Sequence, residues 1–264
     1  MEDWTRIIVI YVTQLSISFI FLLMVYKVLK RNRNRLSLLF SGLYISLSLA
    51  FIINVIYIPL RTNPLVYILH LLSVYLVIFG FIFLILFNIN LLNIYTDFSL
   101  KKQSFIVLLY AITIFFLIQY PGGITINEQT NWKPVWSWDF LIILYIYVTA
   151  FIIAPTIILS LKIYKKFQDK DLRKKWKLYF TGICCLSISF YFAGLYNTWN
   201  NPTYRSIYSV LSLIEILAGV LIYYGFGHKI PSSVPDKKCS LSSLRLIDLT
   251  EKKLEEFPKF FKKI

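Results

Sequence analysis

Seven stretches of this chain are dominated by apolar residues, and polar or basic clusters separate them. They cover residues 6–29, 36–60, 65–92, 103–120, 139–163, 178–199 and 203–226. About 20 mostly apolar residues carry a helix across the hydrocarbon core of a bilayer. Each run is near or above that length, and the fourth is the shortest. Inside the runs, polar positions recur at steps of three and four, the spacing of one helical face. The pattern predicts an all-α integral membrane protein built as a seven-transmembrane-helix bundle.

The last run, TYRSIYSVLSLIEILAGVLIYYGFG, holds a single carboxylate, Glu215. An acid at that depth is costly unless it faces protein or water. Tyr208, Ser212, Glu215 and Gly219 follow at steps of four, three and four and share a face, with Leu213, Ile214, Leu217 and Val220 on the other sides. This reads as a polar, small-residue seam turned into the bundle. Other runs carry similar seams: Tyr11, Gln14 and Ser18; Ser37, Ser41, Tyr44 and Ser48; Tyr145, Thr149, Thr156 and Ser160, where Pro155 predicts a kink. Small and hydroxylated residues at these spacings are what helix packing in lipid uses.

Composition agrees with the pattern. The chain is 58% hydrophobic with a mean hydropathy of +0.66, against about 45–50% apolar for a soluble domain. The net charge of +15 does not form one nucleic-acid-binding patch. The cations lie between apolar runs and read as topology signals. Lys27, Lys30, Arg31, Arg33 and Arg35 fill the first connector. Lys101 and Lys102 stand in the third. The fifth carries Lys162, Lys165, Lys166, Lys170, Arg173, Lys174, Lys175 and Lys177. Only Arg6, Arg61, Lys133 and Arg205 fall on the opposite side. The expected orientation is N-terminus outside and C-terminus cytoplasmic, in a multi-pass protein of the cell membrane. Glu2 and Asp3 precede the first run in place of a basic signal-peptide start, so the first helix is expected to direct its own insertion.

Two domains follow: a transmembrane unit over 1–228, and a cytoplasmic linker and short tail over 229–264. The linker, PSSVPDKK, is rich in breakers. In the tail, Leu241, Leu244, Ile247, Leu249, Leu254, Phe257 and Pro258 match leucine-rich-repeat spacing, with Lys252 at the usual Asn position. A lone repeat cannot bury its own apolar face. A short amphipathic helix lying on the membrane is the favoured reading, through Leu254, Phe257, Phe261 and Ile264, against a repeat remnant or a disordered tail.

Candidate chemistry is sparse. Glu215 reads either as a hydrogen-bonded carboxyl joining helices or as a ligand counter-charge, proton site or cation site. His70 lies in the outer third of the third run and reads as a packing residue or as a partner for Glu215. An outward-facing cavity near His70, Tyr145 and Glu215, with Ser212, Tyr208 and Trp138 as further contacts, would take a small-molecule or lipidic ligand. The external loop 121–138 opens with Pro-Gly-Gly, and Ile124–Asn127 and Trp132–Trp136 are paired as a short hairpin, with Pro134 at an edge. Trp132, Trp136, Trp138 and Trp199 read as an interfacial aromatic belt or as a lid over a ligand.

Several chemistries find no support. No HExxH, Cys–His cluster, P-loop or GxSxG is present, so no metal site and no enzyme activity are expected. The last run has no lysine for a retinal Schiff base, and no cofactor is expected. Cys184 and Cys185 are adjacent in an apolar run and Cys239 is in the tail, so no disulfide framework is indicated. The partners expected are the lipid bilayer, a small-molecule or lipid ligand, and a cytoplasmic signalling partner at 162–177 and the tail, with no nucleic acid.

Gly122, Gly123, Trp132, Trp138, Tyr145, Lys174 and Gly225, within residues 121–226, carry a likeness of architecture. The chain resembles the seven-transmembrane N-terminal sensory region of prokaryotic histidine kinases. That resemblance implies a helical sensor that passes a signal to a cytoplasmic output. The tail is too short for a kinase, so either the output is on a separate protein or the role has changed. The alternatives are a transporter or ion-coupled protein using Glu215, and a structural membrane subunit without a ligand.

Overall fold

The computed structural model describes residues 8–92 and 99–225; the tail and its amphipathic or repeat-like reading lie outside the described residues. Seven helices are long and apolar enough to cross a membrane: α1 (Tyr11–Arg31), α2 (Arg35–Tyr57), α3 (Leu65–Leu92), α4 (Leu100–Ile118), α5 (Trp138–Lys166), α6 (Lys170–Thr198) and α7 (Pro202–Gly225). These are the features of a multi-pass helical membrane protein. The outward faces carry bare apolar side chains, Phe19, Phe105, Phe116, Ile146, Phe151 and Val210 among them. Such a surface suits lipid and is costly in water.

The helix ends follow local chemistry. Asn34 caps α2 by accepting from the Ser37 amide at 2.8 Å. Asp169 caps α6 by accepting from the amides of Asp171 and Leu172 at 2.7 and 2.9 Å. Asn201 caps α7 at the Tyr204 amide, with Pro202 in the first turn. Side-chain oxygens at these positions satisfy amides that have no carbonyl partner in the first turn. The α6 cap places its start eight residues before the apolar run at 178, so the basic KDLRKKWK segment is its first two turns.

Packing is polar at its seams, and the small residues lead it. Ser18 and Ser48 each donate to the other's carbonyl at 3.2 and 3.3 Å and join α1 to α2. Ser46 and Ser73 tie α2 to α3 through the carbonyls of Leu76 and Ala50. Tyr44 donates to the Gly219 carbonyl at 2.8 Å, linking α2 to α7. Deeper in, the Asn88 amide donates to the Ser160 hydroxyl and accepts from Tyr179, while Trp176 donates to the Ser160 carbonyl. That knot fastens α3, α5 and α6. Hydroxyls and amides bonding across helices are the usual fastening where no water competes. α6 packs closely on the C-terminal half of α7. A Cβ on Gly182 would lie 2.8 Å from the Ala218 carbonyl and the Ile222 amide.

Several spans depart from regular α-helix. A π-helix, Ile8–Gln14, opens α1, and another, Thr149–Ile153, interrupts α5 just before Pro155. In α3 the regular helix stops at Gly80 and resumes at Ile82. In α7 it stops at Leu211 and resumes at Ile214, and three-residue hydrogen bonds bridge the gap.

Between α4 and α5 the chain forms a two-stranded hairpin. β1 (Ile124–Thr125) pairs antiparallel with β2 (Val135–Trp136), with Ile124 opposite Trp136 and Thr125 opposite Val135. The strands are shorter than the sequence suggests because the tip folds on itself. Asn127 and Thr130 cap each other reciprocally at 3.0 Å, and Asn131 and Trp132 take left-handed backbone conformations. Gly122, at φ +70, makes the turn into β1 without the Cβ that such a backbone disfavours.

Candidate functional site

A cavity of about 150 Å³ opens among α1, α2, α3, α6, α7 and the hairpin. That is about the size of an apolar protein cavity that holds benzene. Its lining explains its position. Three of the four irregular spans contribute a wall residue at or near the irregularity: Gln14 where the π-helix of α1 ends, Phe81 at the gap in α3, and Glu215 just past the gap in α7; the π-helix of α5 lies away from the cavity. Helix irregularities of this kind recur at functional sites.

His70 forms part of the wall and is buried. Its Nε2 lies 3.1 Å from Trp136 Nε1, and its Nδ1 lies 2.8 Å from the Tyr57 hydroxyl. Trp136 arrives from β2, so the hairpin is pinned into the bundle through this ring. Glu215 is buried too, and its carboxylate accepts from the Ser189 hydroxyl of α6 at 2.7 Å. Tyr208 lines the same space and lies against Tyr196, ring centroids 4.7 Å apart. Asn54 accepts from Ser73 at 3.2 Å on the opposite wall.

Two cations complete the lining: Lys133 from the hairpin and Arg205 from the first turn of α7. The Arg205 guanidinium lies over the Tyr196 ring, 5.5 Å from its centroid. Its Nε is buried and has no hydrogen-bond partner, and the same holds for Gln14 Oε1. A buried polar atom left unpaired costs about 1–3 kcal/mol. Both orphans belong to residues that line one cavity.

Of the residues singled out from sequence, Glu215, His70 and Tyr208 line this cavity, whereas Tyr145, Ser212 and Trp138 do not. The ring nitrogens of His70 bond to Tyr57 and Trp136, and the Glu215 carboxylate to Ser189, so the two share a cavity without pairing directly. Tyr145 sits behind the wall: its hydroxyl donates to the Tyr191 carbonyl, and its ring closes over Gly194, which does line the cavity. Ser212 is buried in the gap of α7 and donates to the Ser209 carbonyl at 2.8 Å. Trp138 is 51% exposed, as a residue of an interfacial belt would be, while Trp136, two residues earlier, points inward.

Sequence reasoning passed over Arg205, Lys133, Gln14 and Ser189 as ligand contacts. For Arg205 a signal existed. The seam Tyr208–Ser212–Glu215 continues back by a step of three to Arg205, which places the cation on the same face. Ser189 and Lys133 come from other segments, and no spacing within their own segments marks them. Among the described residues no cluster of three or more His, Cys, Asp or Glu is placed to hold a metal ion. Comparison with protein-family models, with curated proteins and with solved structures finds no match for this chain.

Proposed function

We propose that this chain is a receptor-like membrane sensor, taking a small or lipidic ligand in the cavity between α2, α3, α6 and α7. One observation carries the reading. Charged and polar groups from separate elements, Lys133, Arg205, His70 and Glu215, converge on a single space walled by aromatic side chains. Ligand sites are concave and mostly apolar, with a few convergent polar groups. The gaps in α3 and α7 both border that space, so a guest that favours one packing over another shifts the population of the two. The charge pattern supports an external N-terminus and a cytoplasmic C-terminus, and it opens the cavity outward. The readout then falls to the α5–α6 connector at 162–177 and to the tail, facing a separate partner in the cytoplasm. The resemblance to histidine-kinase sensory regions supports the same assignment.

A second reading has a specific observation in its favour. Transporters bind substrate and coupling ion at discontinuous helices, and α7 breaks beside Glu215. The two are separated in proteoliposomes with a spin label on Lys170→Cys and a panel of small carboxylates, amines and fatty acids. A sensor shows saturable binding and a change in label mobility at the connector, with no flux. Gradient-dependent uptake that disappears in Glu215→Gln replaces the sensor by the transporter. Neither response, with normal folding, leaves a structural subunit.

A further inference from the structure

The charge balance of the cavity narrows what it takes. Its wall carries two cations, Lys133 and Arg205, and one carboxylate, Glu215. The carboxylate already accepts a hydrogen bond from Ser189. His70 adds no positive charge in the observed arrangement: indole N–H is donor-only, so the Nε2 facing Trp136 Nε1 is an unprotonated acceptor and the ring is neutral. Beyond Glu215, the polar wall carries the Arg205 guanidinium with no carboxylate paired to it among the described residues. Arg205 is the better-defined cation. Among the described residues it forms no ion pair, its guanidinium lies over the Tyr196 ring, and its buried Nε–H has no acceptor. A partly buried guanidinium without a counter-charge is costly, and an anion within hydrogen-bond reach offsets that cost. Arginine also matches a carboxylate geometrically, with two parallel donors.

Arg205 and Glu215 are ten residues apart on α7, about 15 Å along the helix. The cationic and acidic ends of the site are thus separated, and the rest of the wall includes Phe51, Phe81 and Phe190. A guest with adjacent positive and negative groups does not span that length, whereas one with a single anionic group and an apolar body does not need to. The volume suits a benzene-sized body, and a long acyl chain would extend beyond it.

Resting on the ligand-site reading of this cavity, we infer that its guest is a small amphipathic carboxylate. The anionic group is held at the outer end by Arg205 and Lys133, and the apolar body lies against Phe51, Phe81 and Phe190. Gln14, with its amide turned to present the NH₂, supplies a further donor from α1.

The test uses the full chain in nanodiscs and four probes: benzoate, benzylamine, benzyl alcohol and laurate. Binding is followed by calorimetry and by thermal midpoint. Benzoate is expected to bind saturably and raise the midpoint, with benzylamine and benzyl alcohol at least tenfold weaker. Arg205→Gln is expected to weaken benzoate at least tenfold, and Arg205→Lys less than Arg205→Gln, both with an unliganded midpoint near that of the parent. Ala193→Phe, which fills the cavity from α6, is expected to abolish binding. The outcomes separate the two claims. Preference for the amine or the alcohol, or benzoate binding indifferent to Arg205→Gln yet lost in Ala193→Phe, overturns the carboxylate and keeps the site. Laurate binding as tightly as benzoate replaces the small free acid by a membrane-borne one and overturns the size argument. Absence of binding by all four, or binding unaffected by Ala193→Phe, overturns the ligand site itself and the carboxylate with it.

Discussion

Trp136 donates its indole N–H to His70 Nε2 across 3.1 Å, and this one bond fixes the chemical form of the histidine. Nδ1 then carries the proton and donates it to the Tyr57 oxygen at 2.8 Å. A strand of the hairpin, the N-terminal part of α3 and the end of α2 are held by a single imidazole.

Trp136→Phe keeps an aromatic body and removes the donor. The buried Nε2 loses its partner, and the expected loss is about 1–3 kcal/mol, read as a lowered midpoint of thermal unfolding in detergent. The tautomer is tested directly by ¹⁵N spectroscopy of labelled histidine in a His228→Ala background. A protonated Nε2 contradicts the assignment.

Gly182 allows α6 to meet the backbone of α7. Gly182→Val places a branched side chain where a Cβ already stands 2.8 Å from Ala218 O and Ile222 N. Backbone atoms cannot swing aside, so the helices must part, at an expected cost of about 1–3 kcal/mol. Gly80→Ala is the contrast: its Cβ would meet the Ser46 Cβ at 3.3 Å, and the effect should be much smaller. Equal destabilisation by both in a thermal melt refutes this ranking.

The basic connectors predict the orientation. In a background with Cys184, Cys185 and Cys239 replaced by Ala, Gln129→Cys should react with a membrane-impermeant maleimide on intact cells. Lys170→Cys should react only after permeabilisation. Both native side chains are exposed, so burial does not explain a negative result. The reverse labelling pattern inverts the topology and turns the cavity toward the cytoplasm.

How far the sequence reaches is clear from particular elements. The span 65–92 falls where α3 does, and the Thr203 run differs from α7 by one residue at each end, because long apolar runs leave little choice of register in lipid. Ser18 and Ser48, expected on packing seams, bond to each other across α1 and α2. The bundle was legible because each helix carries its own pattern. The cavity was legible only where one helix carries it, as for Tyr208 and Glu215. Trp138 was preferred to Trp136 because the turn geometry that directs Trp136 inward comes from the Asn127–Thr130 cap and the β1 pairing, which no periodicity encodes. The gap in α3 follows Gly80, but nothing near Ser212 marks the gap in α7 as a proline would. Pro155 does announce an irregularity, and its form is the π-helix just ahead of it.

At Ser212 and Leu213 the backbone switches to tighter bonding: Leu213 donates to Val210 O at 3.2 Å, and Glu215 to Ser212 O at 3.1 Å. Short tracts of this kind act as joints within longer helices. The N-terminal arm of α7 carries Arg205 and Tyr208 and is tethered to α6 through Tyr204 and the Phe192 carbonyl. The C-terminal arm carries Glu215 and is clamped to α6 at Gly182. Arg205 and Glu215 therefore stand on separate arms of one jointed helix, and whatever is seated between them would bear on both.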